Sequence, residues 1–169
     1  MGGESFLGHV LVVDDDQSLL TILSNILGKD YWVSTADSGE KALEILRNNP
    51  VDLVLLDIMM PGMNGLEVCT AIKASPETAD LPIIFLTGME DEDAEESALD
   101  AGAVDFISKP VRPRIVQSRV RIQIENYLYL QFLEKMLSEK NTTIERVKAE
   151  TEALLNSLGL TEDDESSPD

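Results

Sequence analysis

Four short apolar runs in this sequence end in, or are followed by, side chains that could do chemistry together. Asp14, Asp15 and Asp16 follow HVLVV, Asp57 closes VDLVLLD, Thr87 closes LPIIFLT, and Lys109-Pro110 follows AVDFIS. Carboxylates packed together repel, and each resists ionisation unless a cation joins them. A hard divalent ion with oxygen ligands is the simplest remedy, and Mg²⁺ suits a site with few carboxylates and positions left open for water or phosphate. Lys109 adds one flexible positive charge and Thr87 a hydroxyl donor. A metal, an ammonium and a hydroxyl aimed at one carboxylate stabilise a phosphoryl group in flight. Asp57 then reads as a nucleophile that becomes an aspartyl phosphate. Each residue alone has an ordinary reading, since an Asp at a strand end commonly caps the next helix, and Asp16 is a candidate for that role. The ordered set is far more specific than any member.

The elements that must position these residues are legible in the hydrophobic pattern. Five runs (9–14, 31–36, 51–57, 81–87 and 103–108) are short, rich in Val and Ile, and bounded by Gly, Pro, Asp or Asn. Continuous apolarity rather than alternation predicts strands buried on both faces, hence a parallel sheet. Between the runs lie SLLTILSNILGK, SGEKALEILRNN, GLEVCTAIKAS and DAEESALDAG, with apolar residues at spacings of three and four. Gly28 and Gly102 stand where helices end. The alternation predicts a doubly wound α/β sandwich. In such sheets ligands bind beyond the carboxyl ends of the strands, which is where the reactive residues fall.

Charge divides the chain. The net charge is −19, with a pI near 4.2. Residues 1–111 hold 5 basic and 21 acidic side chains, and residues 112–158 hold 8 and 6. The stretch from Gly159 to Asp169 adds −5 and reads as a solvated tail. Phosphate-backbone binding needs a basic footprint, so direct nucleic-acid binding is not expected. The single cysteine, Cys69, excludes an intramolecular disulfide framework or a Cys-rich zinc site. Without a long apolar run or a secretory signal, the expectation is a soluble cytoplasmic protein with no membrane contact. The expected organisation is an N-terminal extension (1–8), a globular domain (9–125), a helical extension (126–158) and an acidic tail (159–169).

VLVVDDD, VDLVLLDIMMPGMNG, PIIFLTG and DFISKP closely resemble the receiver domain of two-component response regulators, the CheY-like fold. The resemblance covers about residues 8–125. It implies a five-stranded parallel sheet in order 2-1-3-4-5 with five helices, the fifth extended into a long C-terminal helix. It makes Asp57 the phosphoacceptor for a histidine kinase or a phosphotransfer protein. Asp14 and Asp15 match the acidic pair that holds Mg²⁺, Asp15 directly and Asp14 through water, with Asp57 and the backbone carbonyl of Met59 completing the site. Thr87 and Lys109 match the switch hydroxyl and the active-site lysine. Phe106 matches the aromatic whose rotation reports phosphorylation. Tyr is frequent at that position, so Phe106 leaves packing alone to favour the inward rotamer. Gly88 fits a need for space beside the phosphate.

Other residues read as structural: His9 opens a strand, Cys69 packs on a helix, and the acidic run Glu90–Glu96 starts one. Arg112, Arg114, Arg119 and Arg121 form a basic cluster expected to pair with Asp100 or Asp105 across a homodimer built on the fourth helix, fifth strand and fifth helix. From Arg114 to Leu158 there is neither Gly nor Pro. Leu133, Leu137, Lys140, Ile144, Val147, Thr151, Leu154 and Leu158 follow a 4-3 spacing that predicts a parallel coiled-coil dimer. Tyr127, Leu130 and Leu133 recur every three residues and would disturb it. An amphipathic helix folded back on its own domain, or a break at the capping-box pattern Thr142–Glu145, are the alternatives. RVRIQIENYLYLQFLEKMLSEK also resembles the signalling helix that joins some receivers to cyclic-nucleotide cyclases or phosphodiesterases. This suggests a fragment ending before an effector, or a regulator whose helix engages partners. The receiver itself is expected to be a signalling domain, not an enzyme. A rival is a haloacid-dehalogenase-type phosphatase with Asp14 as nucleophile, using Asp14-x-Asp16. It leaves Asp57–Gly62 unexplained. A receiver fold used only as a binding module is a third reading, opposed by the complete residue set.

Overall fold

The computed structural model describes residues 6–88 and 100–157. Its elements are β1 (His9–Val13), α1 (Gln17–Leu27), β2 (Trp32–Ala36), α2 (Gly39–Asn48), β3 (Leu53–Asp57), α3 (Gly65–Ala74), β4 (Ile83–Thr87), β5 (Asp105–Ser108) and α4 (Pro113–Ser157). The five strands form one parallel sheet in the order β2-β1-β3-β4-β5. The doubly wound fold expected from the pattern is present. The helix count differs: four helices rather than five stand among the described residues. The helix expected over 93–102, with the acidic run Glu90–Glu96, lies outside them apart from helical Asp100 and the turn at Ala101-Gly102.

The continuous apolar runs are explained by cover on both faces of the sheet. Leu11, Val13, Val54, Leu56, Ile83 and Phe85 belong to one core with Val68, Cys69 and Ile72 of α3. Val10, Val12, Leu53, Leu55, Ile84 and Leu86 belong to the other, with Leu20, Leu23 and Leu27 of α1 and Val116, Val120 and Ile124 of α4. Consecutive residues of Val10–Val13, Leu53–Leu56 and Ile83–Leu86 therefore serve opposite layers, and polar side chains come only at the ends of these strands. Local chemistry sets the helix starts. Asp16 caps α1 by accepting from the Ser18 N–H, Ser38 caps α2, and Asn64 and Glu67 form a capping box on α3.

Two compact units divide after Leu128. Within the first, α4 buries Val116, Val120 and Ile124, a four-residue spacing that keeps one face on the sheet. The second, as far as Ser157, is helical throughout. The break considered at Thr142–Glu145 does not occur. The hydroxyls of Thr142 and Thr143 donate back to the carbonyls of Ser138 and Glu139 inside the helix, so they cap nothing. Among the described residues no helix is long and apolar enough to cross a membrane.

Candidate functional site

Parallel pairing brings the reactive residues to one sheet edge. Val13 lies opposite Leu56, Asp57 opposite Leu86, and Thr87 opposite Ser108, so the residues closing β1, β3 and β4 and following β5 meet at the carboxyl ends. Asp14, Asp57 and Thr87 are buried, whereas Asp15 is exposed. One carboxylate oxygen from each of Asp14, Asp15 and Asp57 lies within 4.8 Å of the others. Lys109 Nζ stands 2.8 Å from Asp14 Oδ2 and 3.0 Å from Asp57 Oδ1, a single cation shared by two buried anions. The other oxygen of Asp14 accepts the Asp16 N–H at 2.9 Å. Thr87 Oγ1 is buried and finds no hydrogen-bond partner among the described residues. A peptide bond in the cis form joins Lys109 to Pro110.

The electrostatics follow from this crowding. Burial pushes the Asp57 carboxyl above its ordinary value, and the nearby Asp14 charge adds to the rise; hydrogen bonds from Lys109 and the Met59 backbone oppose it. For Lys109, burial alone would lower the pKa, but its bonds to Asp14 and Asp57 and their charges outweigh that and raise it. Three carboxylates against one ammonium leave an excess of negative charge on hard oxygen donors. That donor set fits a divalent cation of the Mg²⁺ type. Met59 places its side chain in solvent, 74% exposed, and bonds to Asp57 through its backbone.

The loop after Asp57 is shaped by glycine. A Cβ on Gly65 would stand 2.2 Å from the Asp57 carbonyl oxygen, so only glycine lets α3 begin this close to the site. Gly62 has φ +74°, a turn that L side chains rarely adopt. At Gly88 a Cβ would meet no described atom within 4 Å, which agrees with open space beside Thr87.

Other residues fall away from this cluster. Phe106 is half-buried against the α2–α3 core and lines a groove of about 430 Å³ with Lys109, Pro110, Arg112, Ile115 and Arg119. Arg119, expected in a dimer contact, also has a partner within its own chain. Its Nη1 donates to both carboxylate oxygens of Asp105, at 2.5 and 2.6 Å. The residues are 14 apart, and β5 runs straight into α4, so the turn between them brings the guanidinium to the carboxylate. His9 bonds Pro50 O and Ser34 Oγ through its two ring nitrogens, and Cys69 donates to Ala101 O; both are structural. Nothing in the sequence pattern revealed the Gly65 contact, although a glycine opening a helix was its one visible signal.

The family pattern described as the response regulator receiver domain matches residues 10–121. This chain belongs to the response regulator receiver family. Among curated proteins, it is 38% identical over 164 residues to a Vibrio cholerae protein named "Probable cyclic di-GMP phosphodiesterase", covering 93% of this chain and 37% of that one. It is 40% identical over 117 residues to the DNA-binding response regulator MtrA of Mycobacterium leprae, covering 69% of this chain and 51% of MtrA. A crystal structure titled as adenylate cyclase from Rhodopirellula baltica matches with a TM-score of 0.71 at 30% identity, covering 78% of this chain and 97% of that one. The receiver chain thus spans only about a third to a half of the curated relatives' length. Receivers of this family are signalling domains of two-component systems, act with a histidine kinase, and bind Mg²⁺ at an acidic cluster of the kind formed by Asp14, Asp15 and Asp57.

Proposed function

We propose that Asp57 is the phosphoacceptor of this receiver, charged by a histidine kinase or a phosphotransfer protein. The observation that carries this reading is Lys109 spanning Asp14 and Asp57 beside a buried, unpartnered Thr87 hydroxyl. A carboxylate oxygen of Asp57 attacks the phosphorus of a phosphohistidine; the new P–O bond forms as the P–N bond breaks, and the imidazole leaves with that electron pair. Lys109 holds Asp57 in place and then pairs with the phosphoryl oxygens, and Thr87 donates its hydroxyl to one of them. Asp14, Asp15, Asp57 and the Met59 carbonyl are the groups that would hold Mg²⁺, which when bound neutralises charge on the transferring phosphoryl group. Movement of Thr87 toward the phosphoryl group frees space that Phe106 fills by packing. The change is then read on the face formed by β5 and the start of α4, and through the long helix in a homodimer.

Further readings rest on the same basis. The domain itself is no enzyme beyond assisting its own phosphorylation and slow dephosphorylation. Its output is an effector of the cyclic-nucleotide type, a proposal supported by the relatives named as a cyclic di-GMP phosphodiesterase and an adenylate cyclase, and by the match with the former extending through the helix. The charge of −19 disfavours nucleic acid as its own ligand, and a receiver fed by a kinase works in the cytoplasm. A phosphatase using Asp14 and Asp16 is disfavoured because Asp16 is turned away to cap α1 and Asp14 is tied to Lys109. Acyl-phosphate labelling with Mg²⁺, followed by mapping of the acid-quenched peptide, tests the proposal. Label is expected on Asp57 and lost in Asp57→Asn. Label on Asp14, or undiminished label in the variant or without Mg²⁺, would overturn it.

A further inference from the structure

The second unit carries a broad apolar face. Tyr129, Leu130, Phe132, Leu133, Met136 and Leu137 are each 37–62% exposed. At about 100° per residue they cover an arc of roughly 160°, far wider than a two-stranded seam requires. Below Leu137 the face narrows to Ile144, Val147 and Leu154, which are 45–60% exposed. Residues 129–157 hold five acidic and four basic side chains, a net of −1 in a chain of −19. Two copies brought together along this segment would meet little net repulsion.

We propose that this segment is the docking surface for a second copy of the same chain, paired in parallel, in a register fixed below Lys140 and twofold degenerate above it. This rests on the reading of the long helix as the receiver's output element. Two heptad seams overlap in the sequence and share Leu133, Lys140, Val147 and Leu154. One seam is completed by Tyr129, Met136, Thr143 and Glu150, the other by Leu130, Leu137, Ile144 and Thr151. Below Lys140 the choice is forced. The first seam would bury Thr143 and set Glu150 against its own copy, whereas the second buries Ile144. Above Lys140 both seams present large apolar side chains, so either packs. Passing from Tyr129 through Leu133 to Leu137 takes two steps of four residues, a stutter that locally unwinds the supercoil and lets the helix turn between the seams. Lys140 facing its own copy is a polar position that sets register and strand number at some loss of stability.

Single cysteine variants of the full chain, oxidised with diamide, test this, with the parent chain and its buried Cys69 as the blank. Leu133→Cys and Val147→Cys lie about 21 Å apart along the axis, so both close self-disulfides only if the helices are parallel. Ile144→Cys should close on the order of a hundredfold faster than Thr143→Cys, because paired thiols see an effective concentration near millimolar. Met136→Cys and Leu137→Cys should close at similar rates. Equal rates at positions 143 and 144, or closure at 137 without 136, would refute the assigned register. Closure at 133 without 147 would refute the parallel order, and closure nowhere would refute self-pairing. The series on Asp57→Asn keeps the two readings apart. The same positions should close there, since the register is set by the helix and not by Asp57. A pattern lost in Asp57→Asn would refute a register set by the helix alone, whereas failed labelling of Asp57 with the pattern intact would refute the phosphoacceptor reading only.

Discussion

Replacing Lys109 with methionine keeps most of the side-chain stem and removes the charge shared by Asp14 and Asp57. Those carboxylates are 0% and 4% exposed, so the variant leaves two buried anions facing each other without a cation. Breaking a buried ion pair by removing one partner costs about 3–5 kcal/mol. The Lys109 side chain keeps 30% exposure, so solvent already screens part of this interaction, and about 2–3 kcal/mol is the reasonable loss. In a domain of this size that lowers the melting temperature by roughly 8–12 °C in chelator. Mg²⁺ should restore much of it, since a ligand at about a hundred times its Kd returns about 2.7 kcal/mol. The sign with pH is also fixed. Burial places the folded pKa of Asp57 above its ordinary 3.8, so the folded state binds the proton more tightly. The penalty is present at neutral pH, grows as pH rises through the folded value, and fades as pH falls toward about 4. The deficit of Lys109→Met should shrink over that same interval. Adding Asp57→Asn to Lys109→Met should recover stability by removing one of the opposed charges. Scanning calorimetry from about pH 4 to pH 8, with and without Mg²⁺, measures all of this. A Lys109→Met variant melting with the parent at neutral pH, or one destabilised further by Asp57→Asn, would refute the shared-cation account.

Thr87→Val removes a buried hydroxyl that has no partner, so denaturant midpoints should show no loss and a gain of up to about 1 kcal/mol. The same variant should lose its beryllofluoride-induced change at Phe106, followed by NMR. Gly65→Ala drives a methyl to 2.2 Å from the Asp57 carbonyl, which should cost about 1–3 kcal/mol and depress acyl-phosphate labelling of Asp57. Arg119→Ala breaks a pair made through one guanidinium nitrogen, on an arginine side chain that is 43% exposed, so the stability read from denaturant midpoints should fall by less than about 1 kcal/mol. A larger shift would make the Asp105 pair part of the fold's framework.

The sheet made the site legible because parallel strands buried on both faces allow one arrangement of their ends. Once five apolar runs alternate with helical periods, Asp14, Asp57, Thr87 and Lys109 must share an edge, and spacing alone delivers them there. Asp16 was legible for a local reason, since capping depends only on the next two residues. Contacts between the site and its neighbours were not legible. The approach of Gly65 to the Asp57 backbone depends on how steeply α3 leaves the loop, and no residue pattern records that angle. The intrachain partner of Arg119 was not legible, because a charge cluster on a helix names no partner. The turn from β5 into α4 places Asp105 within reach of the same chain, and periodicity is silent about that turn. The unbroken path of α4 through Thr142–Glu145 was a near balance between a capping pattern and helical continuation, which the i−4 bonds of the two threonines resolve.

The unphosphorylated site is held together while several of its groups remain poorly satisfied, and that is where the energy of switching lies on the proposed reading. One lysine divides itself between two buried carboxylates, and a third carboxylate lies close by with no cation of its own within the cluster. The Thr87 hydroxyl is dehydrated and idle. A phosphoryl group on Asp57 adds about −1.5 to −2 charge and three strong acceptors. It gives Lys109 a stronger anion and Thr87 its missing acceptor, so the modified state repairs defects that the resting state tolerates. Because Thr87 Oγ1 makes no hydrogen bond among the described residues, pulling it toward the phosphoryl group sacrifices none of those. With no phenolic hydroxyl at position 106, no new hydrogen bond locks the aromatic inward. The balance of rotamers should therefore follow the presence of the phosphoryl group closely, giving a graded response at the β5 face in place of a latched one.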